Sequence, residues 1–373
     1  MDYSMRLLNR VLLPLAVVGV SLFLPICTSS GSAIAQDCNA AFTQITLLSQ
    51  GNVDDFQSVY GPCDRIGGSL DIGTGPGMEA ITDLTPLEDL VEVAEFLSIQ
   101  GSMTTLNGLH NLVSVGNSFT ITGANQLTDL TGLTSLQSVG NLDLVGLVSL
   151  TSLSGLSSLA AVGFLNLENL PFLTDFSGMP AAVDIETLVI TNTQQLTSLD
   201  GAPAMSNLRL LALNGNQALN DLNGLSASTF LTDPPDDAAI GITSNNALLN
   251  LIGLPAVERI GSLNISGNSA LTSLAGLENL VEVWSSLSVQ ENSFLADCSM
   301  LATVLDSVDD GDPGPGDGSN PDDPPDTPGL DAIQIGNNGE AVEPNARCNT
   351  IEEILSSVAE NTVYADGFES VTL

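Results

Sequence analysis

Apolar and polar positions along this chain follow a schedule that repeats. Counted from Ile121, apolar residues fall at Leu127, Leu130, Leu133, Leu136 and Val139, with Gly132 among them and Gly140 just after the last. The same count from Leu144 meets Leu150, Leu153, Leu156, Leu159 and Val162, with Gly155 and Gly163; from Ile265 it meets Leu271, Leu274, Leu277, Leu280 and Val283, with Gly276. The unit is first met at Leu70-Asp71-Ile72 and returns at Ile99, Ile121, Leu144, Leu167, Ile190, Leu213, Ile242, Ile265 and Val289, at spacings of 27, 22, 23, 23, 23, 23, 29, 23 and 24 residues. Self-similarity at roughly 20 to 29 residues marks a leucine-rich solenoid. The sequence therefore predicts a mainly β repeat solenoid of about ten rungs, each ~23 residues long.

Within a rung, Leu97-Ser-Ile99 and Leu188-Val-Ile190 alternate apolar, other, apolar, the period of a short strand. An Asn often stands three residues after the strand, as at Asn216, Asn245, Asn268 and Asn292. Its short amide bonds turn backbone, and stacked copies are placed to bond one another. Gly132, Gly155, Gly178, Gly201, Gly224, Gly253 and Gly276 recur where the backbone must bend and a Cβ would crowd it. No rung is long enough for a full helix. A single rung buries too little to offset the entropy of ordering its residues, so rungs must stack and the two open ends must be covered.

The template breaks in two places. Between Leu225 and Ile240 a rung lengthens around Asp233-Pro-Pro-Asp-Asp237, read as an exposed loop. Residues 306–329 are an acidic Pro/Gly/Asp insert, a composition that cannot bury a core and predicts disorder. The resulting division is a signal peptide at 1–35, an N-terminal cap at 36–68, the solenoid at 69–305, the acidic insert at 306–329, a last strand and C-terminal cap at 330–358, and a flexible tail at 359–373. In the C-terminal cap, Ala332-Ile-Gln-Ile335 reads as a strand and Ile351 to Val358 as a short amphipathic stretch.

Composition adds a compartment. Arg6 and Arg10 precede an apolar run from Val11 to Ile26, and Ala33-Ile34-Ala35 offers small residues for cleavage, the layout of a secretory signal. A lipidation reading at Cys27 is disfavoured by the bulk of Ile26 before it. The expected location is secreted, periplasmic or cell surface, without membrane insertion after signal removal. Four cysteines then remain, Cys38, Cys63, Cys298 and Cys348, an even number in an exported chain. Their order suggests Cys38 with Cys63 and Cys298 with Cys348, one bond at each end, although four cysteines allow three connectivities. The chain holds 6 basic against 44 acidic residues, a formal net charge of -38, and no lysine. Such a field repels phosphate backbones and anionic lipid, which argues against nucleic-acid and membrane-surface binding.

The combination of L-x-I-x-x-N, L-T-x-L-x-G-L and L-x-x-V-G resembles the receptor L-domain, in its bacterial exported type. The resemblance runs from about Leu70 to Ile354 and includes Asn338-Gly339 and Cys348 as a closing segment. Ordinary leucine-rich repeats place the next Leu two residues after the Asn, whereas here it is three, as from Asn268 to Leu271. The resemblance implies a right-handed, leucine-rich-repeat-like β-helix with disulfide-closed caps. It does not imply signalling, because the cysteine-rich modules, transmembrane helix and kinase of the receptors have no counterpart in the sequence. It also says little about function, since a fold hosts many.

Candidate chemistry is sparse. The one histidine, His110, sits between two inward leucines and should face solvent, which leaves a Ser-His-Asp triad without its base. Carboxylates on the strand face, Asp143 and Glu168, stand isolated, with no Arg or Lys beside them to stabilise an anion. Gly73-Thr-Gly-Pro-Gly77 lacks the lysine and helix of a phosphate loop. Asp309, Asp310, Asp312 and Asp317 permit weak, millimolar-range calcium binding, but their spacing does not reproduce a twelve-residue calcium loop. No metal, cofactor or catalytic residue is assigned otherwise.

What remains is the outward strand face: Thr120, Thr122, Asn166, Glu168, Thr191, Asn214, Thr243, Asn264, Ser266 and Gln290, read as a flat, small, polar ligand-binding surface. Trp284 replaces a rung-turn glycine and is assigned to core packing. The function expected from sequence is a non-enzymatic secreted or cell-envelope binding module for a protein or glycan ligand. The alternatives are a structural or adhesive surface protein and, remotely, a carbohydrate-active β-helix enzyme.

Overall fold

A computed structural model describes residues 44–73, 80–230, 238–302, 304, 332–336, 338 and 348–349. Fifteen strands form one sheet in which every pairing is parallel: β1 (Gln44–Leu47), β2 (Arg65–Ile66), β3 (Ser69–Gly73), β4 (Glu92–Val93), β5 (Phe96–Gln100), β6 (Ser114–Thr122), β7 (Ser138–Val145), β8 (Ala161–Glu168), β9 (Ala182–Thr191), β10 (Ala204–Ser206), β11 (Leu210–Asn214), β12 (Ala239–Thr243), β13 (Arg259–Ser266), β14 (Glu282–Gln290) and β15 (Ala332–Gly336). The main ladder runs β1-β3-β5-β6-β7-β8-β9-β11-β12-β13-β14-β15, each strand paired with the equivalent strand of the next rung. The chain is thus a mainly β solenoid of about ten turns, as the leucine period requires. The ladder begins at β1, one rung before the first rung legible in the sequence, with Gln44 paired to Ser69 and Leu47 to Ile72.

Each long strand covers two segments of the repeat. In β7, Val139 pairs with Val162 and, beyond the bend at Gly140, Leu142 and Leu144 pair with Leu165 and Leu167. A Cβ at Gly140 would lie 2.2 Å from the carbonyl oxygen of Asn117 in the preceding rung, so only glycine lets the bends stack this closely. The same holds at the next corner, where a Cβ on Gly155 would come within 1.8 Å of the Leu130 oxygen and where φ is +115°. The crowding expected at these glycines comes from the neighbouring rung's carbonyl. Between bend and corner the inward side chains close a continuous core: Leu142, Leu144, Leu147, Leu150, Leu153, Leu156, Leu159 and Val162 are each no more than 1 % exposed. Among the described residues of these rungs no full helix intervenes; short 3-10 turns such as Thr131–Leu133 and Asn223–Leu225 carry the chain round.

The turn leaving the strand has a fixed form. Two residues after the inward strand residue the backbone enters the left-handed region: glycine at Gly123, Gly146, Gly215 and Gly267, but Asn169, Asn192, Ser244 and Glu291 elsewhere. The N–H of this residue donates to the next rung, as from Asn169 to the Thr191 oxygen (2.9 Å) and from Ser244 to the Ser266 oxygen (2.9 Å). One residue further on, the chain changes character half-way along. Ala124, Leu147 and Leu170 fill this position in the earlier rungs; Thr193, Asn216, Asn245, Asn268, Asn292 and Asn338 fill it in the later ones, all fully buried.

Those asparagines form a rail. Oδ1 of Asn268 accepts from the backbone N–H of Asn245 (2.9 Å), while its Nδ2 donates to the carbonyl of Ile242 (2.8 Å). Asn292 repeats both bonds to Asn268 (3.0 Å) and Ile265 (2.9 Å), and Asn338 repeats them to Asn292 (3.2 Å) and Val289 (2.8 Å). Every side chain therefore satisfies buried backbone groups of the rung before it, which such groups require. The rail starts at Thr193, whose N–H and Oγ1 donate to Asn216, and ends at Asn349, which accepts from the N–H of Asn338 (2.9 Å).

At the N-terminal end, α1 (Gln50–Asp54) and α2 (Phe56–Tyr60) cover the first rungs with Val53 and Phe56. Ser49 caps α1 by accepting from the N–H of Asn52. Cys63 is disulfide-bonded; its expected partner Cys38 lies outside the described residues. At the other end Cys298 and Cys348 are bonded, with Cα atoms 5.4 Å apart, and both are buried. The expected signal peptide at 1–35, the expected loop Asp233 to Asp237, the insert at 306–329, the stretch Ile351 to Val358 and the expected tail at 359–373 lie outside the described residues.

Candidate functional site

Pleating turns alternate residues of each strand outward, and strand pairing lines those residues up in columns. One column runs Thr122, Val145, Glu168, Thr191, Asn214, Thr243, Ser266 and Gln290. Beside it runs Thr120, Asp143, Asn166, Val189, Ala212, Gly241, Asn264 and Ser288. All ten residues read from the sequence as face residues thus fall in two adjacent columns of one surface. Asn214 and Asn264 are exposed and the other eight half-buried.

Neighbours within the columns hold each other. Thr243 donates its hydroxyl to Asn214 Oδ1 (2.9 Å), Ser266 donates to Asn264 Oδ1, and Gln290 Nε2 donates to Gln334 Oε1 (3.2 Å). Asp143 accepts from Ser118 Oγ (3.2 Å) and from Asn166 Nδ2 (3.3 Å), and Glu168 accepts from Asn169 Nδ2 (3.1 Å).

The face is not uniformly polar, and this corrects the sequence reading. A third column, two residues earlier in each strand, places Phe164, Thr187, Leu210 and Ala239 side by side, next to Val189 and Ala212 of the second column. All are half-buried. The centre of the sheet therefore presents apolar side chains, bordered on the N-terminal side by Asp143 and Glu168 and on the C-terminal side by Asn264 and Ser266. These residues were missed because the face was read from the polar strand positions; extending the alternation to Phe164, Val189 and Leu210 would have found them.

Charge does not balance on this face. Among the described residues each arginine stands beside a glutamate of an adjoining rung: Arg65 with Glu92 and Arg259 with Glu282 (3.2 Å) on the other strand segment, and Arg209 with Glu186 (3.9 Å) at the bend before β11. Acidic residues also recur where the rung turns, and there the fold uses them structurally. Asp129 Oδ1 accepts from the hydroxyl of Thr131 (2.6 Å) and from its N–H (3.0 Å), and Asp83 and Asp175 do the same work for Thr85 and Ser177. Hydrogen bonds from Thr85, Thr131 and Ser177 hold these three carboxyls below the usual aspartate range.

His110 is exposed, as its position between inward leucines requires, with Asn111 Nδ2 3.4 Å from its Nε2. Trp284 is half-buried and not among the residues of the buried core, and its Nε1 is covered without a hydrogen-bond partner among the described residues. No group of three or more His, Cys, Asp or Glu side chains converges among the described residues. The calcium candidates Asp309, Asp310, Asp312 and Asp317 lie outside them. No family model matches the chain, and no curated protein matches it either.

Proposed function

We propose that this chain is a non-enzymatic secreted or cell-envelope binding module that holds its ligand against the outward strand face. The observation that carries this reading is the face itself. An apolar centre at Phe164, Val189, Leu210 and Ala212 is rimmed by the polar columns, all set on hydrogen-bonded strands that do not need to move. An apolar core within a polar rim is the anatomy of protein interfaces, which favours a protein over a glycan ligand. Kinship with the receptor L-domain is part of the same proposal and rests on the repeat pattern quoted above.

The test is capture from envelope extract together with a glycan array, using the unmodified protein and the Phe164→Asp, Glu168→Arg and Asn214→Arg variants. A saturable ligand lost on Phe164→Asp and weakened by the two charge reversals is the expected result. A ligand that binds all four proteins equally would show that the strand face is not the site. A structural or adhesive role is favoured by one observation, the net charge of -38 with each described arginine already beside a glutamate. That reading predicts no saturable ligand at all.

A further inference from the structure

The earlier strand segment, before the bend, carries a groove of about 590 Å³ that crosses four successive rungs. Small residues line it: Ala182 pairs with Ala204, with Ala160 and Ala227 on the rungs to either side, whereas Gln137 occupies the place of Ala160 one rung earlier. Met205, buried, forms part of the floor, and Asp184 is the charged residue on the lining. The carboxylate of Asp184 is already oriented. Asn207 Nδ2 (3.1 Å) and Ser206 Oγ (3.4 Å) both donate to Oδ1, which leaves Oδ2 to a ligand. Asn207 reaches it from the left-handed region, at φ 65°, a conformation unusual for a residue other than glycine.

We propose that this groove binds a short extended peptide with small side chains and one Lys or Arg, whose cation pairs with Asp184. Alanine methyls and a methionine suit a peptide backbone with small side chains, while no aromatic ring is there to stack on a sugar. Four rungs at ~4.8 Å span ~14 Å, the length of about four extended residues. No basic residue lines the groove, and the surrounding field of a chain with net charge -38 attracts a cation. The site is separate from the strand face and does not depend on the function proposed for it.

The probe is a fluorescein-labelled hexapeptide, Ala-Ala-Lys-Ala-Ala-Ala, and its Gln counterpart, titrated by anisotropy at fixed salt and mapped by amide chemical shifts on the full chain. Saturable binding of the Lys peptide is expected, with shifts at Ala182, Asp184, Ala204 and Ser206, at least tenfold weaker for the Gln peptide and for Asp184→Asn. Ala204→Phe, which fills the groove and keeps Asp184, should abolish binding. Asp200→Asn and the strand-face variant Phe164→Asp should leave it unchanged. The proposal is overturned if the Lys peptide does not saturate, if Asp184→Asn and Asp200→Asn weaken binding equally, or if Ala204→Phe binds like the unmodified protein.

Discussion

Asn268 bonds two buried backbone groups of the preceding rung, the N–H of Asn245 and the carbonyl of Ile242. Replacing it with Leu, the residue that fills the same place at Leu147, removes both bonds at once. At about 1–3 kcal/mol for the buried Asn245 N–H left unpaired, Asn268→Leu should cost roughly that amount in urea unfolding, although it adds apolar volume. The aspartates at the rung turns make a pH-dependent contribution. The Thr131 hydroxyl, and secondarily its N–H, hold the Asp129 carboxyl below its unfolded value, so the stability they confer is full above that unfolded value and lost as pH falls through the folded one. Thr131→Val should therefore lower the melting temperature at pH 6 and lose its effect near pH 2. A penalty of equal size at both pH values would show that packing, not the carboxylate, is what Thr131 supports. Both roles were partly legible: the Asn spacing announced turn bonding, but nothing in a single rung says that the amide reaches back to the rung before.

For whole elements the disulfide and β15 give the sharpest expectation. Cys298 and Cys348 are 50 residues apart, and on the chain-entropy model a closed loop of that length stabilises by about 4 kcal/mol. Cys298→Ser with Cys348→Ser should lose up to that amount. Hydrogen-exchange protection should fall first at the β14 amides that pair with β15, Leu287 to Val289, and last at Leu142 to Leu144 in the middle of the stack. Uniform loss across both sets would mean that the solenoid opens as one unit. The strands were readable because the inward residues keep a period of two within a rung and ~23 between rungs. The first strand, Gln44–Leu47, was not, because its rung continues into two short helices and never shows the leucine spacing. The apolar centre of the face escaped for another reason: the face was read from its polar strand positions alone, although Phe164, Thr187 and Leu210 stand 23 residues apart and pair in register.

At the scale of the molecule, charge and repetition act together. With 44 acidic residues against 6 basic ones, self-repulsion opposes the compact state, and salt screens it over a Debye length of ~10 Å at 0.1 M. The melting temperature should therefore climb by several degrees between ~0.02 and ~0.5 M sodium chloride, read by calorimetry; a flat profile would place the repulsion outside the folded unit. The asparagine rail has a direction, and that direction has a consequence for how the chain is made. Each amide completes the rung that precedes it, so a rung emerging from a ribosome stays short of these bonds until its successor arrives. From Thr193 onward, order in the solenoid is conferred backwards in time, and every rung waits for the next to vouch for it. Asn349, beside the Cys348 bridge, is where the described rail stops waiting.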